Sequence, residues 1–248
     1  MTRIIAIASG KGGVGKTTMT ANLAAALSKF NKSVIAVDGN LTTSNLGIHL
    51  GIPLYPITLQ DVIQRKSRVE EAIYFHKSGF RVLPSDVSLT KIINPRSHDF
   101  IDLFYKLVGS ADIVLIDVAA GLGSEALAVL DAADELITIT NPELSAITDA
   151  LKLGKLAEKM GTKNIGVVIN RFKKHPHDIH HLDVKDFLGM NVLGTVREDR
   201  KISRATHEKE PIITREPNSR AAQEIMAIAA KIAGVEFKPK TGFFSWLR

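Results

Sequence analysis

The sequence predicts an α/β fold: a doubly wound, mainly parallel sheet with helices on both faces. Three observations predict it. Short β-branched runs alternate with longer helical patterns along most of the 248 residues. The runs are apolar almost throughout, as strands covered on both faces require. A helical pattern separates nearly every consecutive pair, so right-handed crossovers bring the strands side by side in one sheet.

The predicted strands are 3–9 (RIIAIAS), 33–38 (SVIAVD), 80–84 (FRVLP), 112–118 (DIVLIDV), 134–140 (DELITIT), 164–170 (NIGVVIN) and 191–196 (NVLGTV). Helices are predicted near 16–30, 59–66, 97–108, 124–132, 143–160, 178–188, 199–209 and 217–233. There is no internal repeat and no linker before residue 235, so residues 1–234 form one domain. Segment 235–241 (VEFKPKT) reads as a short polar tether, and 242–248 as a separate tail. An apolar share of 45% is enough for a core of this size. The absence of cysteine excludes disulfides and thiolate-held metals or iron–sulfur clusters built by this chain alone. The N-terminal apolar run is too short for a signal peptide or a membrane span, so a cytoplasmic chain is expected. A formal charge of +6 permits attraction to nucleic acid or anionic lipid, and fits a plain surplus of surface lysine equally well.

The first strand ends at Ser9 and is followed by Gly10-Lys11-Gly12-Gly13-Val14-Gly15-Lys16-Thr17-Thr18, then by a helical pattern. This is the phosphate-loop motif in the strand–loop–helix setting that it requires. Glycines let successive N–H groups turn inward around phosphate oxygens, and the helix N-terminus adds its positive end. Lys16 is expected to reach the β and γ phosphates, and the Thr17 hydroxyl to coordinate Mg²⁺. Asp117 and Asp38 each end an apolar strand, so their carboxylates emerge at the C-terminal sheet edge beside that loop. Both are candidates to orient the water shell of the metal. The alternative for each is an aspartate that caps a loop or helix.

The additional lysine, Lys11, together with VDGNLTTSNLGIHLG, LIDVAAGLGSEAL, TNPELSAITDALKL, VVINRF and the C-terminal tail, resembles the MinD/ParA family of deviant Walker A P-loop ATPases over nearly the whole chain. The run IDVAAGLGSEALAVL and the tail look most like archaeal MinD-type proteins. The resemblance implies a P-loop NTPase fold, ATP/ADP and Mg²⁺ as cofactors, and an ATP-joined homodimer in which Lys11 reaches the partner's phosphates. A lysine arriving from outside would neutralise charge that develops during γ-phosphoryl transfer. The resemblance also makes Asn170 the adenine-recognising residue, since an amide pairs with a donor and an acceptor together; a turn asparagine is the alternative. Thr18 and Arg171, beside Thr17 and Asn170, count with the nucleotide-binding candidates.

The chain departs from the family in three places. Relatives carry two aspartates spaced by one residue after the second strand; here they are Asp38 and Asn40. Asparagine can orient a water through its carbonyl oxygen but cannot accept a proton as a base. Slow hydrolysis is expected, because phosphoryl transfer depends mainly on positioning and charge. The usual D-x-P-x-G appears as Asp117-Val118-Ala119-Ala120-Gly121; the glycine whose N–H would approach the γ-phosphate is kept. Finally, Thr195-Val196-Arg197-Glu198-Asp199 lacks the proline that many relatives place near the base.

The tail KPKTGFFSWLR holds Phe243, Phe244, Trp246 and Leu247, flanked by Lys238, Lys240 and Arg248. Three of the four apolar side chains share one face of a helical turn, and cations beside aromatics suit an anionic bilayer surface. In MinD relatives such a tail targets the membrane; folding back on the core is the alternative. One short turn binds weakly, whereas a dimer supplies two. His175, His177, His180 and His181 match no metal template and read as a solvated loop. Lys173-Lys174 and Arg200-Lys201 admit DNA phosphates, with an ordinary polar surface as the default. The expectation is a slow ATPase, peripheral at the inner face of the cell membrane, that positions an unidentified protein partner. The alternatives are a ParA-like partition ATPase binding DNA nonspecifically, and a nucleotide-bound scaffold with negligible turnover.

Overall fold

The computed structural model describes residues 1–52, 54–88, 95–173 and 189–239. Eight strands form one sheet in the order β3-β4-β2-β5-β1-β6-β7-β8. They are β1 (Arg3–Ala8), β2 (Val34–Gly39), β3 (Tyr74–Phe75), β4 (Arg81–Leu83), β5 (Ile113–Val118), β6 (Glu135–Thr140), β7 (Lys163–Phe172) and β8 (Val192–Arg197). Every pair is parallel except β3 with β4. β1 lies at the centre, between β5 and β6. The chain winds one way from β1 to β2 and the other way from β5 to β6, so strand order reverses around β1. In open α/β sheets the ligand crevice forms at such a point, beyond the carboxyl ends of the strands.

Side chains alternate across each strand, and both faces are covered. On one face Ile5, Ile7, Ala36, Leu115 and Ile137 pack with α1 (Lys16–Lys29) and a late helix, Arg220–Ala233. On the other, Ile4, Ala6, Val37, Val114 and Ile116 pack beneath Ser97–Leu107 and Ser124–Ala132. This two-sided burial is why the strand runs carry no polar alternation. In chain order the helices are α1, α2 (Leu46–His49), α3 (Leu59–Ile63), α4 (Ser97–Leu107), α5 (Ser124–Ala132), α6 (Leu144–Lys159), α7 (Arg200–His207), α8 (Ile212–Arg215) and α9 (Arg220–Ala233). α1 is buried over most of its surface, wedged between the sheet and α9, and its alanines allow that close approach.

The seven expected strands are all present. β3, α2, α8 and a 3-10 turn at Val69–Ala72 were not anticipated. Each is four residues or fewer, too short to show a period. β7 continues past its expected end to Phe172, with a register shift against β8 and a left-handed Arg171 (φ 58°). Such a bulge re-aims side chains at a strand's end. The expected helix at 178–188 and the histidines at 175, 177, 180 and 181 lie outside the described residues.

At the edge where strands begin, the Arg3 guanidinium donates to the Ile232 carbonyl at the end of α9 and pairs with Glu135 at 2.6 Å. Phe237, in the expected tether, meets Phe30 edge-on at 5.8 Å. Among the described residues no helix is long and apolar enough to cross a membrane.

Phe100, fully buried on α4, fills the core between α4 and the sheet. Replacing it with alanine should lower unfolding free energy by about 3–5 kcal/mol, measured by urea denaturation.

Candidate functional site

The loop Gly10–Thr17 follows β1 at the crevice and leads directly into α1. Its backbone needs its glycines. Gly13 and Gly15 hold φ of 79° and 92°, which L side chains rarely adopt. A Cβ on Gly15 would lie 2.4 Å from Asn170 Nδ2, and one on Gly10 would lie 2.6 Å from the Asp149 carbonyl oxygen of α6. An open cleft of about 670 Å³ lies over the loop. It is lined by Val14, Lys16, Thr17 and Thr18, by Asn40 and Thr42 after β2, and by Glu125 of α5.

Lys16 and Asp117 meet in the floor of this cleft, Nζ to Oδ1 at 3.0 Å, with 9% and 1% of their side chains exposed. Thr20 Oγ1 donates to the Lys16 carbonyl at 3.2 Å, and approaches the same Asp117 oxygen at 3.4 Å. The other Asp117 oxygen, Oδ2, is buried without a hydrogen-bond partner. Buried polar atoms are nearly always paired, so an orphaned carboxylate oxygen on the partner of Lys16, below a cleft that Thr17 lines, fits a hydrated divalent cation.

Asp38 lies directly across from Asp117 in the β2–β5 register. Its Oδ2 accepts from Ser44 Oγ at 2.7 Å and from the Asn45 and Leu46 N–H groups at 3.1 and 3.0 Å, and its Oδ1 from the Asn40 N–H at 3.3 Å. Ser85 Oγ donates to its carbonyl at 2.6 Å. The carboxylate thus closes the start of α2 and belongs chiefly to the loop. Complete burial, then the neighbouring Asp117 charge, push its pKa from 3.8 to about 7 against those hydrogen bonds.

Asn40 Oδ1 accepts from both Thr43 N–H, 3.1 Å, and Thr43 Oγ1, 3.0 Å. Both lone pairs of the oxygen expected to orient a water are committed to the loop. The Gly121 N–H, expected to face the γ-phosphate, donates to the Ser9 carbonyl at 2.9 Å. Lys11 stands half exposed at the rim, its Nζ 3.4 Å from Glu143. Asn170 is buried, and its Nδ2 donates to the Val14 carbonyl at 2.7 Å. It borders a second cavity of about 380 Å³, together with Arg171 and Arg197. That cavity shares Gly15, Thr18 and Arg171 with the phosphate cleft. At the end of β8, Arg197 is anchored by Glu224 of α9, which accepts its backbone N–H at 2.8 Å and lies 3.5 Å from its guanidinium, so a cation borders the cavity. Burial raises the Glu224 carboxyl above its ordinary range.

Sequence reasoning missed Glu125, Ser44 and Ser85, which hold the loop after β2. Glu125 looks locally like an ordinary acid in a first helical turn. Nothing in the pattern joins it to residues more than 80 positions away. The tail residues Phe243, Phe244, Trp246 and Leu247 lie outside the described residues.

A glycine cradle at the point of strand-order reversal, floored by a buried lysine–aspartate pair, defines a P-loop nucleotide-binding protein. Comparison with known proteins narrows the class. Residues 5–212 match the CobQ/CobB/MinD/ParA nucleotide binding domain, and the chain belongs to that family as a MinD-like member of its MinD/ParA ATPases. It is 38% identical over 246 residues to an uncharacterised ATP-binding protein of Methanocaldococcus jannaschii, covering 97% of this chain and 93% of the relative. The structure is similar to the cell division ATPase MinD of Pyrococcus furiosus, with a TM-score of 0.90 and 36% identity over 94% of this chain and 99% of the other. It is likewise similar to the septum site-determining protein MinD of Pyrococcus horikoshii, which is complexed with Mg-ADP: TM-score 0.89, 37% identity, 94% and 96% covered.

Two outcomes are expected. Gly15→Ala forces a side chain into a left-handed residue and into Asn170, and should abolish nucleotide binding measured by titration calorimetry while the circular-dichroism spectrum stays α/β. In folded protein the Asp38 carboxyl keeps a proton between about pH 4 and 7, where the unfolded chain has lost it. This contribution to stability is complete below pH 4 and falls as pH rises to 7. Urea midpoints should therefore show wild type losing ground to Asp38→Asn across that interval.

Proposed function

We propose that this protein is a slow, ATP-gated membrane switch of the MinD type. ATP joins two copies face to face, the paired tails at 242–248 hold an anionic bilayer, and hydrolysis releases them. The assembly positions a protein partner inside the cell, at the inner face of its membrane. The observation that carries the reading is Lys11. It leaves its own phosphate loop for the rim, at 3.4 Å from Glu143, where a second copy's phosphates can be met. Similarity to MinD proteins across nearly the whole chain supports it.

In this reading Thr17 and, through water, Asp117 hold Mg²⁺, with Asp38 behind them. The metal neutralises phosphate charge when bound. Lys16 and the loop N–H groups grip the β and γ phosphates, and Asn170 with Arg171 borders the base. Asn40 supplies neither a base nor a free carbonyl oxygen in the arrangement described, which favours slow turnover and a long-lived ATP form. DNA binding is less well supported: Lys173 pairs with Glu198 at 2.6 Å and Lys201 lies 3.6 Å from Glu216, so two of the four cations are already balanced.

Sedimentation with anionic liposomes tests the switch. Pelleting is expected with ATP–Mg²⁺ and not with ADP–Mg²⁺, and should be lost in Lys11→Ala and on deletion of 242–248. Equal pelleting with either nucleotide would overturn gating, and unchanged pelleting of the truncated chain would overturn the tail as anchor. Asn40→Asp should raise phosphate release several-fold at saturating ATP; an unchanged rate would remove Asn40 as the cause of slowness.

A further inference from the structure

The loop between β2 and α2 is held by three acidic or amide side chains that divide its N–H groups among them. Asp38 takes those of Asn45 and Leu46. Asn40 takes that of Thr43. Glu125 takes those of Leu41 and, at 3.3 Å, Thr42, and its second oxygen accepts from the Thr42 hydroxyl at 3.0 Å. Asp38 and Asn40 are local to the loop. Glu125 arrives from the first turn of α5, the helix that follows the Asp117–Gly121 segment. An acid in a first turn ordinarily serves its own helix end. This one directs both carboxylate oxygens to another element, through three hydrogen bonds to a charged acceptor, the stronger kind. Glu125, Thr42 and Asn40 all line the phosphate cleft.

We propose that Glu125 is a positioning residue for ATP turnover. It fixes the loop 40–43 to α5, so that the two segments flanking the γ-phosphate position move as one body. The inference rests on the ATPase reading above and adds to it the means by which the two segments are coupled. Glu125 has no role in gripping the β-phosphate, which the loop Gly10–Thr17 and Lys16 perform, so ADP affinity is separable from turnover.

Four variants test it in the chain of 248 residues: Glu125→Ala, Glu125→Gln, Thr42→Val and Glu125→Ala with Thr42→Val. Turnover, affinity for a fluorescent ADP, and deuterium exchange across segment 40–47 are measured for each. Glu125→Ala should lower kcat about tenfold or more, as loss of positioning does. Its KM and ADP affinity should stay within about twofold, with faster exchange in the loop. Glu125→Gln keeps an acceptor for the two N–H groups and should recover most of the rate and protection. Thr42→Val should cost less beside Glu125→Ala than alone. Wild-type turnover and loop exchange in Glu125→Ala would overturn the proposal. So would a glutamine variant as slow as alanine with its loop still protected, since charge rather than position would then be at work. If Glu125→Ala does not fold, the glutamine and Thr42→Val variants decide by the same criteria. If wild type binds ADP but does not turn over ATP, the ATPase reading fails by itself. Loop exchange then decides whether Glu125 fixes the loop: protection lost in alanine and kept in glutamine supports it, and protection equal to wild type in both overturns it.

Discussion

The buried contact between Lys16 and Asp117 is the constraint on which the cleft depends. It joins the first residue of α1 to the end of β5, and therefore fixes the loop between β1 and α1 against the central strands. Such pairs are poor sources of stability, because removing two ions from water offsets most of their attraction. An apolar pair would serve the core as well. What the pair provides is a cation and an anion with one carboxylate oxygen unused, both set beneath a glycine cradle. The site thus carries a positive and a negative charge in direct contact beside the phosphate loop.

The elements around this pair differ in how firmly they are tied. The phosphate loop is set by backbone conformation at Gly13 and Gly15 and by close packing on Asp149 and Asn170. The loop after β2 is instead tied by side chains, each a hydrogen bond that another acceptor can replace. Local opening concentrates where backbone bonds are few and partners exchangeable. The rigid half of the cleft is built from the chain itself, and the adjustable half from Asp38, Asn40 and Glu125.

Much of this was legible in the sequence. Strands buried on both faces betray themselves by composition, so β1, β2 and β5 were plain, and α5 was delimited to the residue. The phosphate loop was legible because its spacing encodes a backbone shape. Asp38 and Asp117 could be placed at the sheet edge because a strand's end fixes where its last side chain goes. Their division of labour could not: Asp38 is absorbed by Ser44, Asn45 and Leu46, whereas Asp117 keeps an oxygen unpaired, and that depends on a loop with no period of its own. Glu125 was invisible for the same reason. β3 and α8 were missed because they are products of tertiary contact: Tyr74 pairs with Val82 only because β4 is already in the sheet.

Arg3 clasps the end of α9 at the edge where strands begin, and Lys231 of α9 donates to the Leu193 carbonyl at the start of β8 there too. Both the start of β1 and the exit of α9 are thereby held on the side of the sheet opposite the nucleotide cleft. The molecule is polar in the mechanical sense: the nucleotide cleft lies at one edge of the sheet and the exit of α9 at the other. The end of α9 is thus joined through Arg3 to β1, the strand that leads into the phosphate loop. The exit of α9 and the nucleotide cleft therefore meet the two ends of a single strand.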